Sequence, residues 1–240
     1  MKKLFFFLGV MLLLASCSRE IKEVTETYPD GKPKLVTWYK DVEGVKVKSR
    51  QAGYYQSGKE RFKGGFENGK PTGEWNFWFE NGKTFAEAKY DQKVDKQSWK
   101  FWNENGDRIL DDSYTVTVQG FYPDLTPSQA VFFKGDGKVA TNIFFYPNFK
   151  SQMDGTSENG KRTGRWIYFY ENGNKWSEGF FVNDINDSTR TVWYESGAKR
   201  YEGKYKLGIE VGLWKFWDEK GTLVKEINYD TIPLDKRIKP

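Results

Sequence analysis

Trp166-Ile167-Tyr168-Phe169-Tyr170-Glu171-Asn172-Gly173 is the stretch that decides the fold, because it recurs. Trp75 to Gly82, Trp99 to Gly106 and Trp214 to Gly221 share its layout. Gly58, Gly82 and Gly106 stand 24 residues apart, as do Phe149, Gly173, Gly197 and Gly221, with Phe149 where a glycine is expected. A fixed period in this range signals a repeat architecture. Asn-Gly between alternating aromatic and polar residues signals a β-hairpin, since a type I′ turn needs positive φ at both central positions. A two-residue turn at Asn81-Gly82 pairs Glu80 with Lys83, Trp78 with Phe85, Asn76 with Glu87 and Trp75 with Ala88. The same register sets Lys100 opposite Asp111, Lys215 opposite Glu226, Trp193 opposite Arg200, Trp166 over Gly179 and Trp214 over Ile227.

Period-two alternation then sorts the faces. Gly73, Trp75, Phe77, Phe79, Ala86, Ala88 and Tyr90 form a face to be buried, and its last position repeats as Phe66, Tyr114, Phe181, Tyr205 and Tyr229. The opposite face is charged, with Glu74, Asn76, Trp78, Glu80, Lys83, Phe85, Glu87 and Lys89. The expected class is all-β: an elongated antiparallel meander of about seven hairpin repeats of 24-residue period, in a single twisted or curled sheet.

Gly73-Glu74-Trp75, Gly164-Arg165-Trp166 and Gly212-Leu213-Trp214 are each followed by aromatics, by Glu-Asn-Gly or its equivalent, and by pairs such as Glu178-Gly179 and Glu202-Gly203. In these elements the chain resembles the bacterial variant of the MORN repeat, the family of YwqK-like antitoxin components, over roughly two-thirds of its length. It departs at Arg190, where tryptophan is expected, and at Gln97-Ser98, where the glycine is missing. The resemblance implies protein–protein or membrane-proximal interaction.

The chain begins with Met1-Lys2-Lys3, an apolar run from Leu4 to Leu14, and Leu14-Ala15-Ser16-Cys17, which looks like a lipobox. Residues 1–17 are read as a lipoprotein signal with lipid attached at Cys17, the only cysteine. Several acyl chains on one residue give stable anchoring. The expected location is therefore a bacterial cell envelope, at the outer membrane or cell surface ahead of the inner membrane. Residues 18–27 read as a tether, 28–114 as a first array, and 115–148 as an insert with a hairpin at Asp136-Gly137. Residues 149–230 read as a second array and 231–240 as a loose tail. The insert's apolar residues are expected to cover part of the aromatic face, which would otherwise exceed the patch a soluble monomer exposes.

Aromatic residues make up 18% of the chain and all hydrophobics only 38%, so the core is expected to be built of rings on a sheet face. The net charge of +5 is spread over 38 basic and 33 acidic residues, with no dense basic cluster of the kind that binds nucleic acid. The chain has no histidine, which removes Ser-His and Cys-His pairs and the commonest transition-metal ligand. No cofactor or metal is expected.

Carboxylates remain, in two columns: Glu80, Glu104, Glu171, Glu195 and Glu219 before the turn, and Glu87, Asp111, Asp154, Glu178, Glu202 and Glu226 after it. A glycosidase needs two carboxylates roughly 5–10 Å apart in unlike surroundings, and repeated columns suggest like surroundings. The expected activity is non-enzymatic binding or scaffolding through a protein partner. An antitoxin role and envelope carbohydrate binding are the alternatives. Tyr54, Trp78, Trp102, Phe169, Trp193 and Trp217, an aromatic column on the charged face, form the candidate binding surface, against a purely structural role in cross-strand packing.

Overall fold

A residue of positive φ three positions into each turn, glycine in most of them, sets the geometry of the sheet ends. In the computed structural model, which describes residues 20–94 and 96–237, the Phe79 N–H donates to the Lys83 carbonyl and the Gly82 N–H to the Phe79 carbonyl. Gly82 has φ +87° and Asn81 does not share the positive sign. This is a three-residue loop closed by a left-handed residue, with a bulge beside it. The two-residue type I′ turn expected at Asn81-Gly82 is therefore corrected. True type I′ turns sit at the other end of the strands: Asn68-Gly69 between paired Glu67 and Lys70, and Asn159-Gly160 between paired Glu158 and Lys161, all four at positive φ.

The longer loop shifts the register next to it. Trp75 pairs with Ala88 and Asn76 with Glu87 as expected, but Trp78 pairs with Thr84 and leaves Phe85 as the bulged residue. The bulge re-aims Phe85. It is 0% exposed, not on the wet face. Likewise Trp193 pairs with Lys199, not Arg200, and Lys100 pairs with Glu87 rather than Asp111. Lys215 does face Glu226, at 3.5 Å, and Trp166 pairs with Gly179 and Trp214 with Ile227.

The same loop recurs nine times among the described residues, starting at Tyr28, Tyr55, Phe79, Asn103, Tyr122, Tyr146, Tyr170, Tyr194 and Asp218. The 24-residue phase thus runs back through the expected insert to Leu125. Leu125 (φ +66°) and Phe149 (φ +69°) occupy glycine slots. A left-handed L-residue costs about 1–2 kcal/mol, and both side chains offset it inside the core. Phe149 stacks on Phe85 at 4.4 Å between ring centres, and Leu125 packs against the same cluster.

Among the described residues, seventeen antiparallel strands form two sheets, where one was expected. The first runs in sequence order: β1 (Ile21–Thr27), β2 (Pro33–Val42), β3 (Val45–Tyr54), β4 (Glu60–Glu67), β5 (Lys70–Trp78), β6 (Thr84–Asp91) and β7 (Lys96–Phe101). The second comprises β8 (Tyr114–Phe121), β9 (Pro127–Lys134), β10 (Val139–Phe145), β11 (Ser151–Glu158), β12 (Lys161–Phe169), β13 (Lys175–Val182), β14 (Ile185–Trp193), β15 (Lys199–Lys206), β16 (Ile209–Trp217) and β17 (Leu223–Asn228). The break falls where the hairpin after β7 fails. Only Trp102 and Arg108 bridge there, and the chain turns at Asp111–Ser113.

One further expectation is corrected: residues 21–27 of the tether are strand β1, whose N–H and C=O groups find partners on β2, while Lys46 and Arg50 of β3 reach Glu23 and Glu20. The hairpin expected in the insert at Asp136-Gly137 is present as β9–β10, with β8 beside it. The described part of the tail forms two 3₁₀ turns, with Arg237 donating to the Ile232 and Glu210 carbonyls. Cys17 and the targeting segment lie outside the described residues.

The two sheets pack front to back. The tryptophan face of the first, with Phe62, Trp75, Phe77, Trp99 and Phe101, meets Val118, Ala130, Phe132, Ile143 and Phe145 of β8–β10. Cross-strand pairing of Ile143 with Asp154 and of Asp154 with Ile167 puts this apolar patch on the face opposite to Trp166. The cover expected from the insert is thus present over the first array. The second array's own tryptophan face points away from it.

Candidate functional site

Three repeats lay a tryptophan flat on a glycine. A Cβ on Gly64, Gly155 or Gly203 would stand 1.9, 2.3 or 2.1 Å from the ring of Trp75, Trp166 or Trp214. The indole N–H then donates to the Gly65, Thr156 or Lys204 carbonyl, at 3.1, 2.9 and 3.3 Å. The glycine beneath Trp166 is therefore Gly155 on the preceding strand, not Gly179. Gly179 lies under the Arg190 side chain, the residue in the tryptophan slot.

The six residues of the expected binding column are all half-buried. Lys63 lies 5.1 Å over the Trp78 ring, Arg108 5.4 Å over Trp102, Lys175 5.6 Å over Trp193 and Lys199 5.2 Å over Trp217. Their backbones are engaged too. Tyr28, Tyr55, Tyr146, Tyr170 and Tyr194 hydroxyls donate to the carbonyls of Tyr54, Trp78, Phe169, Trp193 and Trp217, at 2.8 to 3.0 Å. This tyrosine ladder links each turn to the next strand, and its signal in the sequence is a tyrosine opening most turns.

The column is divided between the sheets, with Tyr54, Trp78 and Trp102 on the first. One period before Phe169 stands Phe145, sealed at 1% exposure against Phe85 and Phe101. Trp102 and Phe169 meet at the seam, where both line a crevice of about 290 Å³. The structure thus uses the start of the second column as a packing surface.

The carboxylate columns are less uniform than their repetition suggests. Asp154 and Glu178 both pair with Ile167 from opposite sides. Burial pushes the Asp154 carboxyl up, with Arg165 and Lys175 opposing. A 2.7 Å bond from Arg165, with help from Lys175, holds Glu178 down at about 2 against some burial.

A second surface was not foreseen: the unpacked tryptophan face of β12–β17. Trp176, in the bulge slot equivalent to Phe85, is 43% exposed and meets Tyr168 edge-on at 5.8 Å. Tyr201, Trp214 and Phe216 stack on one another at 5.9 to 6.4 Å. Between these groups lies Arg190, whose Nη1 binds Asn186 while its buried Nε has no partner among the described residues, like the Ser177 hydroxyl. Arg190 was visible in the sequence as a departure from the repeat. The openness of its surroundings was not.

Comparison with known proteins bears on the repeats. A profile of the MORN repeat variant matches residues 71–92, 162–183 and 210–231. These are the hairpins β5–β6, β12–β13 and β16–β17; β14–β15, which carries Arg190, lies outside the matches. No curated protein matches the chain. Among solved structures, a pneumococcal O-GlcNAc transferase, GtfA, in complex with UDP and GlcNAc shares 18% identity over 40% of this chain and 19% of its own, at a TM-score of 0.26. The chain spans about a fifth of that enzyme, and a likeness of that size bears on neither fold nor function. Three hairpins of this all-β chain are thus similar in sequence to the MORN repeat variant.

Proposed function

We propose that the protein is a non-enzymatic repeat protein that binds or scaffolds a partner protein through the tryptophan face of β12–β17, and that lipid on Cys17 holds it at a bacterial envelope membrane. One observation carries the reading. The face that β8–β10 seal in the first array is left half-open in the second, with an unpaired guanidinium nitrogen, Arg190 Nε, in its midst. Fully buried interface centres favour aromatic and arginine anchors. A polypeptide bringing apolar side chains would complete the packing over Tyr168, Trp176 and Phe216, which the chain leaves partly exposed. The outer column suits a ligand less well, since lysines and an arginine already lie over four of its rings. Long repeat sheets commonly serve as binding surfaces.

The test is capture from membranes by full-length protein in three forms: wild type, the double variant Trp176→Ser/Phe216→Ser, and Trp78→Ser on the first sheet. A partner retained by wild type and Trp78→Ser but lost by the double variant is expected. Equal retention by all three, or loss only with Trp78→Ser, overturns the assignment of the face. Anchoring is read separately, by fractionation of Cys17→Ala cells and mass spectrometry of the mature N-terminus. Wild-type protein in the soluble fraction without acyl mass would refute it.

A further inference from the structure

The first sheet's tryptophan face is not sealed along its whole length. Toward β2 and β3 the rings give way to Leu35, Thr37, Lys48 and Gln51. Opposite them stand two turns of the second sheet, Tyr122 to Leu125 and Pro147. Between lies a cleft of about 540 Å³, within the range of sites for small molecules. Phe62 and Phe66 form its floor, and Leu35 and Leu125 its apolar sides.

Five charged side chains line the cleft: Glu26, Lys34, Lys48, Arg61 and Asp124. Four are matched. Lys34 binds Glu26 at 3.0 Å. Arg61, in the bulge slot equivalent to Phe85, binds Asp124, donates to Thr126 and to the Pro147 carbonyl, and lies over the Phe149 ring. Asp124 in turn accepts from the Thr126 hydroxyl and amide. Burial would push its carboxyl up, but Arg61 and Thr126 outweigh that and keep it below the ordinary range.

Lys48 is the exception. Its ammonium sits 4.1 Å over the Phe66 ring and has no carboxylate within ion-pair distance among the described residues. Partial burial lowers its proton affinity. Beside it Gln51, 8% exposed, spends one amide hydrogen on Thr37. A partly desolvated cation beside a ring gains from an anion that brings its own apolar body.

We infer that the cleft between β2–β4 and the Tyr122–Leu125 turn binds a small organic carboxylate, its anion held by Lys48 and its flat apolar body lodged between Leu35 and Leu125. This site is on the first sheet, apart from the face assigned to a partner protein, and does not depend on that assignment. Arg61 acts here as a positioning residue: committed to Asp124 and Pro147, it holds the opposite wall against β4 and leaves the anion to Lys48.

The probe pair is 2-naphthoate and its neutral counterpart 2-naphthamide, titrated into full-length protein carrying ¹³C-labelled leucine methyls. Naphthoate is expected to shift the Leu35 and Leu125 methyls and to bind about tenfold more tightly than naphthamide, the worth of one charge-assisted hydrogen bond. Lys48→Gln should bring the ratio near one while naphthamide affinity stays, and Lys48→Arg should restore it. Three results overturn the site: no shift of either methyl at millimolar naphthoate, equal affinity of the two probes for wild type, or an unchanged ratio in Lys48→Gln. The wild-type ratio stands alone if Lys48→Gln fails to fold.

Discussion

The two arrays are built from the same hairpin, yet one hides its tryptophan face and the other shows it. In the first, Phe77, Phe85 and Phe101 are at most 1% exposed, because the back of β8–β10 lies over them. In the second, the bulge slot holds Trp176 at 43% exposure, and Tyr168, Tyr201 and Phe216 are half-buried. Front-to-back packing explains the difference. A sheet that covers its neighbour with its back leaves its own ring face without a counterpart, and β12–β17 are left with that unpaired surface.

The largest effect that would break this comparison is on the bulge slot. Phe85→Ala should destabilise by about 3–5 kcal/mol, as a fully buried ring lost from between two sheets. Trp176→Ala, the same slot in the second array, should cost under about 1 kcal/mol. Denaturant unfolding of the two variants decides it, and equal losses would mean that the second face is covered after all.

A smaller contrast lies within the second array. Gly155→Ala sets a methyl 2.3 Å from the Trp166 ring and should cost about 2–3 kcal/mol by overpacking. Gly179→Ala meets only the flexible Arg190 stem at 3.6 Å, and its effect should stay within about 0.5 kcal/mol. Thermal unfolding of both tells whether the tryptophan or the register makes the glycine necessary. A similar loss in both would assign the requirement to the backbone.

The smallest effect is electrostatic. Arg165 first, then Lys175, hold Glu178 at about 2, against an ordinary 4.5. With the folded value depressed, the stabilisation is present above about 4.5 and is lost as pH falls from there toward 2. Glu178→Gln should therefore flatten the fall in stability between those limits while changing little at lower pH. Wild-type and variant curves that run parallel through this window would show that the Arg165 bond does not outlast solvent exposure.

The sequence by itself determined the repeat, the strand pairing in hairpin centres and the identity of most core rings. Period and alternation are local properties, and pairs such as Trp75 with Ala88 or Trp214 with Ile227 follow from counting residues away from a turn. Counting failed where one residue of loop length mattered. Asn81-Gly82 closes a three-residue loop, and the resulting bulge moved Phe85 from the wet face to the core. It failed again where a side chain stood in for glycine. The phase at Leu125 was invisible because only the inter-sheet core compensates a leucine at positive φ.

Tertiary structure alone decided that there are two sheets, that the first array faces the back of the second, and that Lys48 and Arg190 have no carboxylate partner among the described residues. A 24-residue pattern states which face of each hairpin is apolar but not which other face will meet it. That choice depends on the failed hairpin at Trp102–Asp111 and the direction in which the chain leaves it, and non-local packing of this kind has no period to read.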